Sequence, residues 1–590
     1  VKTWKQILVI VGVGCFLTLP LLIYGLSIQS DDGATHVVWY TSFATQFWSG
    51  DLYPRWLMDL NNGLGSPAFF YYPPVPYFLT SLLKPLFGGD ANGIHQLGIS
   101  AAMSVILSGI FTWAWCREFV DDVSAMVGGV AFMLTPYHLV IDLYTRSSFA
   151  ELWSFAWIPL VLLFVHRLAH GKRAAVVGLA ISYALLIGTH LPTTLIFSLV
   201  PLVYASFIAE KGSRLRSLAL VAVAMALGVG LSAIFLYPAM TMQEYVFVDR
   251  MSLGHFSYSN WLLLSGFYYE KDVDLRPIWR IFFVFIDLAV LTVGAFVLAR
   301  RSEQLEAKKI AVCWFAVGIA AAVMMTDVSR PIWDLLSTLQ KVQFPFRFGV
   351  VLSVAVTALL VLGVSRLRDT SDCIGSKAIV VICAFLWLPF AAWGFSHYAT
   401  PVAADDVEFK NNVIRDRRDQ PEYRPRWSQT MAAIDWNDST NEDDWSDKLD
   451  KEYDSLLDRT GARDASTPRA FITSGSGNAG VVSWEPREIR LRTDVQGPAA
   501  VRIIQFYFPG WQARLADSGE KLEVTPTEPD GLISVNVPAG DHVIGVELTA
   551  THAESVGKIV SASSAALILL YSIFFAVAKI RKQQLPGLDI

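Results

Sequence analysis

Asp31 and Asp32 stand side by side in "SIQSDDGATHVVW", which runs from Ser27 to Trp39, and His36 follows one helical turn after Asp32. Two carboxylates and an imidazole at this spacing suit general-base chemistry, in which one acid takes a proton from a hydroxyl. The spacing brings His36 near Asp32 if "DGATHVVWYTSFATQFW" is helical; such a helix is amphipathic and lies along a membrane interface. Asp31, Asp32 and His36 are also a ligand set for a divalent cation, so metal dependence stays open. The plainer reading is that acids at the exit of an apolar run simply remain hydrated.

Further charged groups stand close to the ends of apolar runs, where charge is costly unless paired or used. "PYHLVIDLYTRSSFAELW" supplies His138, Asp142, Arg146 and Glu151. "GTHLPTT" puts His190 in a tight turn, and "QFPFRFGV" puts Arg347 at the mouth of a span. Any of these can be a structural pair, Arg146 with Glu151 or Asp142 above all. Together they outline a mixed-charge pocket. Carboxylates with arginines suit a site that deprotonates a hydroxyl and holds a phosphate, with Arg347 on the phosphate and Arg146 or Arg55 as helper.

Such a pocket needs elements to hold it. The chain has 590 residues, 53% of them hydrophobic and only 17% charged. Apolar runs near 20 residues recur, which predicts a polytopic α-helical membrane protein. About twelve spans are expected, near 6–28, 96–116, 121–136, 150–169, 173–189, 192–209, 216–237, 278–300, 309–326, 347–366, 377–397 and 557–579. The first is read as an uncleaved span rather than a signal peptide. The basic loops "RLAHGKR", "EKGSRLR", "ARRSEQLEAKK" and "SRLRDTSDCIGSK" then share the cytoplasmic side with both termini. The acidic pair falls on the outside. "YYPPVPYFLTSLLKPLF" (71–87) is short and Pro-rich, and counting it as a span would turn the basic loops outward. It is expected to be interfacial or re-entrant. The net charge of −5 is mild and gives no sign of a nucleic-acid partner, and the five cysteines lack zinc-type spacing.

Three units follow: a transmembrane module over 1–397 with a first external loop at 29–95, an external soluble domain over 398–556, and a last span with a basic tail over 557–590. Within the soluble domain, runs such as "REIRLRTDV", "AAVRIIQFYF" and "HVIGVEL" alternate in the manner of strands. Turn residues separate them, which predicts a small antiparallel β-sandwich, β-rich in 480–550. "QFYFPGWQARL" (505–515) is read as core strand and turn, the alternative being an acceptor-facing surface around Trp511.

The pattern resembles the GT-C superfamily of polyprenyl-phosphate-sugar-dependent glycosyltransferases. In that fold one span is followed by an acidic motif in a long external loop with two juxtamembrane helices. "SDDGATHVVW" is similar to the acidic motif, although the better-known relatives carry Asp-Glu there, and "SPAFFYYPPVPYFLTSLLKPLFGG" is similar to the second juxtamembrane helix. More narrowly, "DLYPRWLMDLNNGLGSPAFFYYPP", "RSSFAELWSFAWIPL", "QFPFRF" and "PEYRP" resemble bacterial YfhO-like and 6-pyruvoyl-tetrahydropterin synthase-related membrane proteins.

The resemblance implies an inverting, single-displacement transfer from a polyprenyl-phosphate-linked sugar to an envelope glycan, lipid or protein acceptor outside a bacterial inner membrane. An external aspartate is then the base and an arginine steadies the leaving lipid phosphate. Asp31 occupies the place where the resemblance puts the base, with Asp32 and His36 shaping the site. His138, Asp142, Glu151, His190 and Tyr423 (of "PEYRP") line the pocket. Some relatives need no metal. The rival classes are a transporter or flippase, a non-catalytic envelope-polysaccharide assembly protein, and a polysaccharide ligase or polymerase. No similar halves mark a transporter.

Overall fold

The computed structural model describes residues 3–87, 93–264, 276–300, 302, 304–369, 404–428, 442–464 and 466–584. Among these, nine helices are long and apolar enough to cross a membrane. Two expected spans form shorter apolar helices, Thr3–Leu17 and Ala175–Ile187. In the first, the chain breaks at Thr18 and resumes as Leu19–Tyr24, with Pro20 in its opening turn. The span expected at 377–397 lies outside the described residues.

Two spans form the centre of the bundle. The apolar windows of Phe149–Ala169 and Pro345–Arg368 are 89% and 94% buried within the protein, against 11% for His552–Val577, which faces outward. The central pair therefore holds a site rigidly, and the peripheral helix presents its side chains to lipid. Val75–Ser81 has seven residues, about 10 Å of helix, too short to cross a bilayer. Its first N–H is anchored on the Gly188 carbonyl at 2.9 Å.

The stretch between the expected spans 121–136 and 150–169, which the span boundaries leave as a loop, is instead largely helical. Tyr137–Arg146 is a ten-residue π-helix that extends Asp122–Met133 into one helix ending at Arg146. Nine of its ten side chains are buried, so packing overrides the polar composition that suggested a loop. π-Helical turns concentrate at functional sites, and this one carries Asp142 and Arg146 four residues apart.

The acidic loop leads into helix Gly33–Trp48, which is buried over most of its surface. It is not a half-exposed interfacial amphipath, because helix Ala404–Arg415 packs across it. Further on, Asn61 and Asn62 adopt left-handed backbone angles, followed by Gly63 and Gly65, which suits the "NNGLG" sequence. This turn receives the soluble domain. The N–H groups of Asn61 and Asn62 donate to the carbonyls of Arg417 and Asp416, and Phe506 N–H donates to the Leu64 carbonyl at 2.7 Å.

Nine strands, β1 (Ala470–Ser474), β2 (Gly477–Glu485), β3 (Glu488–Val495), β4 (Ala499–Phe506), β5 (Trp511–Leu515), β6 (Lys521–Leu522), β7 (Val524–Pro526), β8 (Leu532–Val537) and β9 (Gly540–Leu548), form two antiparallel sheets in the orders β1-β4-β8-β7 and β2-β3-β9-β5-β6. β3 (Glu488–Val495) and β5 (Trp511–Leu515) bury alternate residues, the period-2 pattern of a sheet with one face covered. Trp511 is buried and meets Trp56 edge-on at 5.9 Å. The "FYFPGW" stretch is therefore strand and turn packed on the first external loop.

Helix Phe149–Ala169 connects the acidic-loop end of the bundle to the loop at Lys172. Single cysteines at Leu52 and Lys172, both exposed, are expected to label from opposite faces of sealed vesicles. Labelling of both from one face would overturn the topology.

Candidate functional site

Backbone hydrogen bonds fix the acidic pair to the end of the π-helix. The Asp32 N–H donates to the Arg146 carbonyl at 2.9 Å, and the Asp31 N–H donates to that of Thr145 at 3.4 Å. Gly33 closes the loop from the other side. A Cβ at this position would collide with the Ser27 carbonyl, so a tight turn exists here only because the residue lacks a side chain. Across the loop, Lys410 donates to the carbonyls of Gln29 and Ser30 at 2.5 and 3.1 Å.

Asp31 is exposed, yet it sits in a recess with protein close around it. Crowding by protein and the adjacent Asp32 raise its carboxyl to about 6, against the opposing pull of Arg146 and Lys410. A carboxylate with a pKa there is ionised near neutrality and is a stronger base than an ordinary aspartate. Asp32 is partly exposed, and its Oδ2 lies 3.7 Å from Arg146 Nη2.

Beneath the pair lies a buried ionic hub. Glu151, fully buried, accepts from the Tyr137 hydroxyl at 2.8 Å, from Arg146 Nη1 at 3.0 Å and from Arg347 Nε at 3.2 Å. Arg146 Nη1 also donates to Asp142 Oδ1 at 3.2 Å, and Asp142 Oδ2 is buried with no hydrogen-bond partner among the described residues. Each guanidinium also meets the "FPF" rings. Arg146 lies 5.4 Å from the Phe346 ring centre, and Arg347 lies 4.9 Å from that of Phe344. Arg347 Nη1 donates to the Val342 carbonyl at 2.6 Å. Its Nη2 has no hydrogen-bond partner among the described residues. Four carboxylates (Asp31, Asp32, Asp142, Glu151) thus share two arginines.

His36 does not turn toward the acids. Its Nε2 accepts the Phe149 N–H at 3.3 Å, one of the unsatisfied donors at the start of Phe149–Ala169. That assigns the proton to Nδ1, 2.7 Å from the Tyr77 hydroxyl, to which it donates. Burial lowers its pKa to about 4, so the ring is neutral and both nitrogens are engaged. His36 is therefore not placed to join Asp31 and Asp32 as a metal ligand, because its imidazole is spent on joining two helices.

The other expected residues divide. His190 caps helix Leu191–Phe197, receiving the Thr193 N–H at its Nδ1. It stands near enough to Glu151 and Arg347 to feel both charges. His138 stacks flat on Phe155 at 4.0 Å, and its Nδ1 faces the Phe132 carbonyl, so it belongs to the helical core. Arg55 is elsewhere. It pairs with Glu554 at 3.2 Å, donates to the Ile234 carbonyl and lies over the Tyr53 ring. It lines a separate cleft of about 600 Å³ with Arg487 and Lys558. Tyr423 is buried, with its ring near Tyr71 and Trp39.

Several neighbours were not singled out from sequence. The phenol of Tyr72 lies within the field of Asp32, Arg347 and Arg146. Asp419 binds Trp39 Nε1 at 2.7 Å and the Ser66 hydroxyl, and burial raises its carboxyl to about 6. It sits four residues before Tyr423 in the same segment. Chain distance hides these contacts, since Asp419 meets a helix 380 residues away.

A family described as "6-pyruvoyl-tetrahydropterin synthase related domain; membrane protein" matches residues 69–394. No curated protein matches the sequence. Among solved structures, the chain is similar to arabinofuranosyltransferase AftD from Mycobacteria at 15% identity, covering 68% of this chain and 28% of that one, with a TM-score of 0.45. It is also similar to ArnT from Cupriavidus metallidurans bound to undecaprenyl phosphate, at 16% identity over 71% of this chain and 90% of that one, TM-score 0.31. A third is the Archaeoglobus fulgidus oligosaccharyltransferase in complex with Zn and sulfate, at 14% identity over 75% and 56%, TM-score 0.37. The chain spans little more than a quarter of the length of the first of these.

Proposed function

The chain belongs to the family of membrane proteins related to 6-pyruvoyl-tetrahydropterin synthase, and we propose that it is an inverting glycosyltransferase of GT-C type that moves a sugar from a polyprenyl-phosphate donor to an extracytoplasmic acceptor. The observation that carries this reading is Asp31: an exposed carboxyl, raised to about 6, fastened to the helix that bears Arg146.

Asp31 removes the proton from the acceptor hydroxyl as its oxygen attacks the anomeric carbon. The bond from that carbon to the lipid phosphate breaks, and the electron pair leaves with the phosphate oxygen. Arg347 Nη2 is the guanidinium nitrogen left to meet that developing charge. Arg146, already held by Asp32, Asp142 and Glu151, orders the acids instead. His36 positions the loop helix and takes no proton.

The saturation of Arg146 also favours a second reading, a non-catalytic envelope-assembly protein that keeps the hub for structure. Sugar transfer from a synthetic lipid-phosphate donor in nanodiscs separates the two. The first reading expects transfer, and its absence with every lipid-phosphate sugar offered supports the second. Arg347→Lys keeps the charge but loses the planar fork, so donor binding is expected to weaken about tenfold, on the order of 1.4 kcal/mol. Unchanged donor affinity in Arg347→Ala would remove the residue from the donor site.

A further inference from the structure

At the far end of helix Phe149–Ala169, "FVHRLAH" places His166 and His170 one turn apart. They lie far from the acidic loop: His166 is fifteen residues beyond Glu151, about 22 Å along the helix. Both rings are oriented by their Nδ1 atoms. His166 Nδ1 lies 2.8 Å from the Tyr204 hydroxyl, and His170 Nδ1 lies 2.9 Å from the His166 carbonyl. Both Nε2 atoms therefore face outward from their anchors and toward the same group. Glu306, in the first turn of Leu305–Met324, puts its Oε1 3.8 Å from His166 Nε2 and 3.0 Å from His170 Nε2.

The three ligand atoms lie within 4.8 Å of one another, and theirs is the one such group of His, Cys, Asp or Glu among the described residues. Tetrahedral coordination at about 2.0–2.2 Å asks for somewhat closer atoms. Glu306 is about half exposed and His170 about a third, so both have room to close in, while His166 is held. The nearby Glu118 is already neutralised by Arg167 at 2.7 Å and Lys172 at 3.0 Å and does not compete for the site.

We propose that His166, His170 and Glu306 form a three-ligand site for a divalent transition metal of the zinc class, with water in the fourth place, tying two membrane helices together at the end of the bundle remote from the acidic loop. Imidazole nitrogens with one carboxylate suit zinc and its neighbours rather than magnesium or calcium. Nδ1 atoms hydrogen-bonded into the protein are the outer-shell arrangement that orients ligating histidines. An imidazole must be unprotonated to ligate, so proton and metal compete for the same nitrogens and metal affinity rises with pH. The site is independent of the proposed transferase activity.

The test uses the full chain with a tag free of histidine, stripped by chelator, and Zn²⁺ titrated against a chromophoric chelator. One equivalent per chain is expected, binding more tightly at pH 8 than at pH 6. His170→Ala and Glu306→Gln, both partly exposed and outside the core, should each weaken binding at least tenfold. They should also abolish the rise in thermal midpoint that Zn²⁺ gives the unaltered protein. Co²⁺ should show the ligand-field bands of four-coordination, lost in His170→Ala. Failure of the unaltered chain to bind one equivalent overturns the site, as does affinity unchanged in both variants.

Discussion

Asp31→Asn is expected to lower sugar transfer by on the order of a hundredfold or more, about 2.7 kcal/mol of transition-state stabilisation. Asparagine keeps the size of the side chain, and the backbone bond to Thr145 does not depend on the carboxylate. The fold and donor binding should therefore survive. The pH profile gives a second readout. The base must be ionised, so activity of the unaltered protein rises as pH climbs through about 6, and Asp31→Asn loses that limb. Asp32→Asn should fall less, but it also removes a neighbouring charge that raises Asp31. Its profile should therefore shift to lower pH. Full activity in the Asp31→Asn, Asp32→Asn double variant would sink the catalytic role of this loop.

The largest loss of stability is expected at Glu151. Its carboxylate is buried and takes hydrogen bonds from Tyr137, Arg146 and Arg347. Glu151→Ala leaves the guanidinium of Arg347 without a carboxylate and Arg146 with weaker company, deep in the protein. Breaking a buried pair from one side costs about 3–5 kcal/mol, because the remaining charge keeps its desolvation penalty. The measurement is unfolding of purified protein in detergent. Removing an acid and a base together, Glu151→Gln with Arg347→Met, should recover part of the loss. A Glu151→Ala protein as stable as the parent would show that the hub does not hold these helices.

Much of the architecture was legible because it follows from local properties. Apolar run length predicted most of the spans, and alternation in "REIRLRTDV" predicted β3 of an antiparallel sheet, since burial of one face imposes period 2. The π-helix escaped detection. "YHLVIDLYTR" carries His138, Asp142 and Arg146, and its polarity is that of a loop until the packing around it is known. A helix after the acidic pair was weighed from sequence as an interfacial amphipath, but not its deep burial, which depends on Ala404–Arg415, some 370 residues later.

The site was legible in parts for the same reason. The sequence by itself determined which ionisable groups lie next to the ends of apolar runs, because hydropathy is read residue by residue. It therefore brought forward Asp31, Asp32, Asp142, Arg146, Glu151 and Arg347 together. Only the tertiary structure decided how they pair. His36 and Asp32 are one turn apart, yet the ring spends its nitrogens on Tyr77 and Phe149. Arg55 and Arg347 are alike in sequence, yet one is held by Glu554 and the other joins Glu151. A buried charge takes whichever partner the fold brings within about 4 Å, because at that range in a poorly solvated interior Coulomb attraction offsets the loss of water. Those distances are set by helices hundreds of residues apart.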